Sequence, residues 1–482
     1  MLPSSPNTSE KHFSIDKISL AITACVFIVI TFLFRDIPFF WDGALYCQVA
    51  HYYYDTNFHS LILPPDLDAY GSPMIFWMYV AGAWKIFGKT LLVSHLILLP
   101  FLLGVTWEYY KLAKKFLSKT MIPWAMLLLI CEPTFMTQSI VMSYDISKLY
   151  FFLLGLNSLL NKNKFLYSVS IILLSFCSTR GLMMTVFLIP IHFFLYGGFR
   201  NKKIIHELKV YFFPTVFFLA WVCFHKSQTG WFFYSMSPEF DEDRNIADVV
   251  KIFHHSLFVV WQILDLGRVF IWIFIAYGLL MLKKRNLIPQ KMTQLLIIIF
   301  ILFLLFVIAI SPLAGDVCHR YFIILFFLSH ILAVYILQEI VQKKVIIYLL
   351  IGFLSLGLIT GNFWMYGGGL SNAWDSSLKV LPYFKLRDQM IGFTKGQNIS
   401  PQSVGTKYPM HQDLKYTDLQ KEDFHFTEIG NDSLGKFQFI LFSNVSNLFT
   451  AQEKNKLKEW KLVKEYDSGQ IFLKLFQNPM SN

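Results

Sequence analysis

Long apolar runs constrain this chain more than any other feature. Stretches such as Leu295 to Ile310 and Val345 to Trp364 contain no charged side chain. About 20 such residues, rising 1.5 Å each as a helix, cross a hydrocarbon core of roughly 30 Å. Inside lipid every backbone polar group needs an internal partner, so a chain built of such runs must cross as helices. Charge usage agrees, since 15% of the 482 residues are charged and 55% hydrophobic, against about 25% charged in soluble domains. An ordinary cytosolic enzyme is excluded, and the reading is an all-α polytopic membrane protein.

The spans drawn from these runs are Ile18 to Phe34, Leu91 to Tyr110, Met121 to Val141, Ile146 to Leu160, Phe165 to Thr179, Gly181 to Tyr196, Val210 to Phe224, Leu257 to Leu282, Leu295 to Ile310, Tyr321 to Ile340 and Val345 to Trp364. That makes about eleven, with ends good to a few residues. Arg35-Asp36 follows the first run where a cleavage site would need small residues, so it reads as an anchor. Basic residues then set the orientation. Lys111, Lys114, Lys115 and Lys119; Lys162 and Lys164; Arg200, Lys202, Lys203 and Lys209; Lys283, Lys284, Arg285 and Lys291; and Lys343 and Lys344 all fall on one side of these spans. The positive-inside rule makes that side cytoplasmic, which also accounts for a net charge of +11 without invoking nucleic acid. Pro73 to Phe87 is short and carries Lys85, so it reads as an interfacial helix.

Residues 1–364 thus form a membrane domain whose first outer loop, 35–90, holds amphipathic helices. A second outer loop runs from Lys226 to His255. Residues 365–482 read as a small α/β extracytoplasmic domain, with a strand at Phe437 to Phe442, a helix at Thr450 to Trp460 and a hairpin across Asp467-Ser468-Gly469. No internal repeat stands out.

Ionisable residues beside apolar spans are costly and therefore informative. Asp42, Asp145, Arg180, His319 and Arg320 come from four separate outer connections and all reach the outer surface, which predicts one convergent site. Asp42 sits among Phe39, Phe40, Trp41 and Tyr46, where desolvation is expected to raise its pKa toward a general base; a solvated loop aspartate is the plainer alternative. Asp145 opens a helix, so capping is its ordinary role. Arg180 and Arg320 serve either as interface anchors or as bidentate phosphate ligands. His319 has no second ligand at metal spacing, and the six cysteines are scattered without a CxxC pair, so no metal and no cofactor is expected. The acidic run from Pro238 to Asp243 lacks a glycine-containing cation loop and reads as solvated. Asn398-Ile399-Ser400, Asn431-Asp432-Ser433 and Asn444-Val445-Ser446 match glycosylation acceptors, a triplet common by chance. No P-loop, GxSxG or HExxH motif is present.

Arg35-Asp36-Ile37-Pro38, Trp41-Asp42-Gly43-Ala44-Leu45-Tyr46, Val49-Ala50, Tyr70-Gly71-Ser72-Pro73-Met74-Ile75-Phe76-Trp77 and Ile86-Phe87-Gly88 together resemble the first outer loop of the GT-C membrane glycosyltransferases. The similar groups are the protein O-mannosyltransferase-like and lipid A aminoarabinose transferase-like enzymes. The likeness continues loosely through Glu132-Pro133-Thr134-Phe135, Asp145, Thr179-Arg180-Gly181 and His319-Arg320-Tyr321. Asp42-Gly43 stands where many relatives have Asp-Glu, and Gly71-Ser72-Pro73 where they have Lys-Pro-Pro or His-Pro-Pro.

The resemblance implies a polyprenyl-phosphate-linked sugar donor and inverting transfer at the outer face, with no nucleotide sugar. In that reading Asp42 is the base, Asp145 orients hydroxyls, and Arg180 and Arg320 hold the donor phosphate. Arg35, Tyr46, His319 and Tyr321 support them. The expected setting is the bilayer of a bacterial inner or plasma membrane, with the site and tail facing the periplasm or exterior. A multi-span lipid or solute transporter and an O-antigen ligase or polymerase-like enzyme are the rivals. A transporter would favour repeats and midplane charges, and a ligase a large outer loop late in the chain.

Overall fold

The computed structural model describes residues 14–480 apart from 69, 199–206, 233–244, 314, 316, 368–371, 422, 431–433 and 447. The acidic run at 238–243, the triplet at 431–433 and the basic positions 200, 202 and 203 lie outside the described residues. The helices are α1 (Ile15–Leu33), α2 (Asp42–Asp55), α3 (Ile75–Phe87), α4 (Leu91–Phe116), α5 (Ile122–Cys131), α6 (Pro133–Ile140), α7 (Asp145–Leu160), α8 (Lys164–Cys177) and α9 (Thr179–Leu195). They continue as α10 (Phe212–Thr229), α11 (Val249–Leu264), α12 (Arg268–Lys284), α13 (Gln290–Ile310), α14 (Ile323–Ile340) and α15 (Lys344–Gly361).

The protein is an α-helical polytopic membrane protein, with fewer long apolar helices than the eleven spans drawn from the sequence. Among the described residues six helical segments are long and apolar enough to cross: Ile15–Leu33, Leu91–Phe116, Lys209–Thr229, Gln290–Ile310, His319–Ile340 and Lys344–Gly361. A seventh follows if α11 and α12 count as one span broken by an 88° bend. The run read as 257–282 is therefore two helices. Its break falls at Gly267, whose φ of +83° is left-handed, a conformation glycine adopts without steric cost. The run read as 121–141 is likewise two helices, because Pro133 has no N–H to donate and Glu132 takes an extended conformation and caps α6 from its side chain. α14, apolar on every face, is almost wholly buried and forms the hub, whereas α1 and α10 leave most of their apolar surface outward.

α3 has 13 residues, about 20 Å of helix and short of a span. It buries Phe76, Trp77, Val80 and Trp84 against its neighbours and leaves Tyr79, Ile86 and Phe87 exposed. The basic clusters gather at one end of the bundle. Lys115 donates to Asn161, Lys291 to the Lys115 carbonyl and the Ser118 N–H to Gln338, while Lys164 pairs with Glu207.

After α15 the chain forms α16 (Leu381–Gly396), β1 (Val404–Thr406), α17 (Leu414–Thr417), β2 (Thr427–Glu428), β3 (Phe439–Ser443), α18 (Ala451–Leu457), β4 (Lys461–Asp467) and β5 (Phe472–Gln477). The strands form one mixed sheet in the order β2-β1-β3-β5-β4. β1 runs parallel to β2 and β3, and β5 antiparallel to β3 and β4. Thr450 and Glu453 close a capping box on α18, and Gly469 with φ +87° turns the β4–β5 hairpin. Phe40 and Val141 belong to the same apolar cluster as Trp374, Tyr383 and Leu441, so the tail's core reaches the first loop.

Helix packing is closest where glycines face each other. A β-carbon on Gly267 would run into the Gly357 carbonyl on α15 and would strain the left-handed turn as well. Gly267→Ala is expected to lose about 2 kcal/mol or more, read as a lower thermal midpoint in detergent. Gly352→Ala, where an added methyl meets nothing within 4 Å, is expected to stay at or above the wild-type midpoint.

Candidate active site

Asp42 opens α2 directly after Trp41, held at φ +52°. The next residue has to be small. A β-carbon on Gly43 would lie 3.2 Å from the Met142 carbonyl and 3.4 Å from that of Val141. A larger residue there would push α2 away from the turn that delivers Asp145. Asp145 follows that turn, its N–H bonded to Ser143 Oγ at 3.1 Å. Arg180 lies in the first turn of α9, capped by Ser178 accepting from the Gly181 N–H at 3.2 Å. Arg320 lies in the 3-10 turn His319–Phe322 that leads into α14.

These four elements bring the four charges together. Asp42 Oδ2 accepts from Arg180 Nη2 at 2.8 Å and lies 2.7 Å from Arg320 Nη2. Arg320 Nε lies 3.3 Å and Arg180 Nη1 4.0 Å from Asp145 oxygens. Two partners were not anticipated from the sequence. Lys148 pairs with Asp145 one turn along α7, and Asp375, from the segment before α16, pairs with Arg320 Nη1. Three carboxylates thus meet three cations, a nominally neutral cluster in largely buried surroundings. Lys148 had a signal, a lone cation three residues after Asp145, a spacing that puts both on one helix face. Asp375 had none, because only the folded tail brings it there, with its carbonyl accepting from Gln138 Nε2 at 2.5 Å.

Aromatic rings complete the walls. Tyr144 OH accepts from Arg180 Nη2, the Tyr321 ring lies 4.3 Å from the Arg180 guanidinium, and the Tyr46 ring packs edge-on to Tyr144 at 5.1 Å. Arg35 does not join them: it is half exposed and, among the described residues, pairs only with neighbouring Asp36 at 3.5 Å. His319 turns the other way, its Nε2 lying 2.7 Å from Asp265 Oδ2, and Asp265 also accepts from Tyr366 OH. That contact fixes the turn in front of Arg320. Among the described residues no group of three or more His, Cys, Asp and Glu side chains converges as metal ligands would.

The electrostatics of Asp42 differ from the expectation of a raised pKa. Burial does push the carboxyl upward, but Arg320 and Arg180 outweigh it and hold it below the ordinary aspartate value. Asp42 is therefore a weak base while both arginines rest on it. Beside the charges runs a small crevice lined by apolar Leu149, Met183, Met184, Ile323 and Ile324 and by Asp145, Lys148, Arg180, Arg320 and Tyr321.

The fold is similar to that of ArnT of Cupriavidus metallidurans. The crystal structure of ArnT bound to undecaprenyl phosphate superposes with a TM-score of 0.55 at 11% identity, covering 95% of this chain and 97% of that one. The apo ArnT structure gives 0.53 at 10% identity, covering 96% and 98%. No protein-family model and no curated protein matches this chain. The likeness is one of fold.

Proposed function

We propose that this protein is a membrane glycosyltransferase that moves a sugar from a polyprenyl-phosphate donor to an acceptor hydroxyl or amine at the outer membrane face. The observation that carries the reading is the sharing of Asp42 by two arginines that line a small, partly apolar crevice. Guanidinium groups beside apolar side chains match the chemistry of an amphiphile with an anionic head and a hydrocarbon tail, and the structurally similar ArnT has been crystallised bound to undecaprenyl phosphate. With the basic clusters cytoplasmic, the site lies at the opposite, outer end of the bundle.

In the reaction the acceptor atom attacks the anomeric carbon from the face opposite the phosphate as Asp42 takes its proton. The bond from that carbon to the phosphate oxygen breaks, and the electron pair leaves with the phosphate. Arg180 and Arg320 stabilise the growing charge, which is where preorganised cations act most strongly. Asp145 orients sugar or acceptor hydroxyls. Donor binding also changes the base. When phosphate takes the guanidinium groups, Asp42 loses the cations that hold its carboxyl down, burial is left less opposed, and basicity rises in the complex that needs it.

Release of polyprenyl phosphate from a sugar-loaded carrier, with an acceptor extract supplied, tests the assignment; transport would leave the carrier intact. Asp42→Asn is expected to bind donor and lower turnover about 100-fold or more, and turnover within a few-fold of wild type would remove Asp42 from the mechanism. Arg180→Lys and Arg320→Lys keep the charge and lose the planar fork. A loss on the order of 1.5–3 kcal/mol in transition-state binding, mostly in kcat, is expected of each. Full activity in both would end the phosphate-clamp role. Finally, kcat/KM reports the free enzyme and kcat the donor complex. The acid limb of kcat is expected to lie about one pH unit or more above that of kcat/KM; coincident limbs would show that the arginines do not change hands.

A further inference from the structure

A second group of cations lies on the first loop, away from the Asp42 cluster. Lys85 is in the last turn of α3 and Lys89 just beyond it, and both ammonium groups stand over the Tyr54 ring, at 4.1 and 5.1 Å. Their polar partners are neutral. Lys85 Nζ donates to Asn57 Oδ1 at 2.6 Å, and Lys89 Nζ lies 3.4 Å from His51 Nδ1. Among the described residues neither lysine has a carboxylate partner. From the tail, α17 lays Tyr416 edge-on against His51 at 4.9 Å and brings the Lys415 charge within electrostatic reach.

His51 adds no charge to this patch. It is 2% exposed beneath Trp84 and Tyr416. Burial, then Lys89 and Lys415, drive its pKa down to about 3, so the imidazole is uncharged. If Nδ1 accepts from Lys89, the ring proton sits on Nε2, and that buried N–H has no partner among the described residues. Lys85 and Lys89 therefore meet an unmatched donor with nothing anionic among the described residues to answer them, whereas Lys415 has Asp423 at 3.7 Å. Beside Lys85 and Lys89, Ile86 and Phe87 are 74% and 70% exposed. Apolar side chains at the end of a short helix that buries its other face, next to unpaired lysines, form an amphiphilic surface of the kind that lies in a membrane interface.

We infer that the Lys85–Lys89 patch binds the phosphate of an anionic phospholipid headgroup, with Ile86 and Phe87 set into the acyl region beside it. Charge complementarity selects an anion, and the exposed apolar pair selects a lipid over a free ion. The inference is independent of the transferase reading, because it concerns how the first loop meets the bilayer.

Native mass spectrometry of the full chain in detergent tests it with phosphatidylglycerol, phosphatidylcholine and inorganic phosphate as probes. Lys85→Gln/Lys89→Gln is expected to lose one retained phosphatidylglycerol and to weaken its binding about tenfold or more, with phosphatidylcholine unchanged and the thermal midpoint kept. Lys283→Gln/Lys284→Gln, which removes as much charge from the opposite end of the bundle, is expected to keep that lipid. The inference is overturned if the first variant retains phosphatidylglycerol as wild type does, or if both variants lose it equally, which would mean diffuse attraction. It is also overturned if inorganic phosphate at equal concentration displaces the lipid, which would mean a free-ion site.

Discussion

Asp42 between Arg180 and Arg320 is the contact around which the rest of the structure is arranged. A carboxylate and two guanidinium groups cost several kcal/mol each to withdraw from water, and only close pairing with further hydrogen bonds offsets that cost. Arg320, 3% exposed, meets this demand with three carboxylates drawn from three parts of the chain: Asp42 at the start of α2, Asp145 at the start of α7 and Asp375 in the tail. None of these elements can shift alone without leaving a charge unmatched. The tail is thereby part of the site, and its apolar core, continuous with Phe40 and Val141, holds Asp375 in place.

The broken helices serve the same end. At the α11–α12 bend Asp265 binds His319, the neighbour of Arg320, and Arg268 turns inward to pair with Glu132, whose side chain caps α6. His330 on α14 lies 3.3 Å from the same carboxylate. A straight helix through 265–268 would carry these groups around its axis into lipid. The 88° bend collects them on the protein side, where irregular backbone is tolerated because it is enclosed. Gly267 permits the bend and its close packing on Gly357.

What the sequence made legible follows from cost. Asp42, Asp145, Arg180 and Arg320, which the structure brings together, were singled out because charge beside apolar spans needs a reason, and His319 and Tyr321 as their neighbours. Hydropathy finds apolar length but does not see where a helix breaks, so Pro133 and Gly267 were read through and two runs were drawn as single spans. Arg35 was included for its place beside the loop motif, yet solvent takes it. Asp375 could not be seen, since its partner is set by tertiary folding of the tail. The β3 strand, α18 and the β4–β5 hairpin were legible from alternation and turn residues, whereas the short β1 and β2 strands had too few residues to show a period.

The nominal neutrality of the cluster bears on how a donor could be admitted. Three cations already matched by three carboxylates present no excess positive charge to an incoming phosphate, so binding must be an exchange of partners. Asp375 and Asp42 occupy guanidinium edges that a phosphate would need, while Lys148 is held by Asp145 in the lining of the same crevice. The donor's phosphodiester carries one negative charge, the same as either carboxylate it displaces, and gains a second as the sugar bond breaks, against planar forks already fixed by Tyr321 and by the pairing of His319 with Asp265. In the empty protein the carboxylates keep the arginines folded in and keep Asp42 a weak base. In the proposed reaction, exchange leaves the same carboxylate in a buried place with its cations engaged elsewhere, so that one substitution of partners would both seat the leaving group and ready the base.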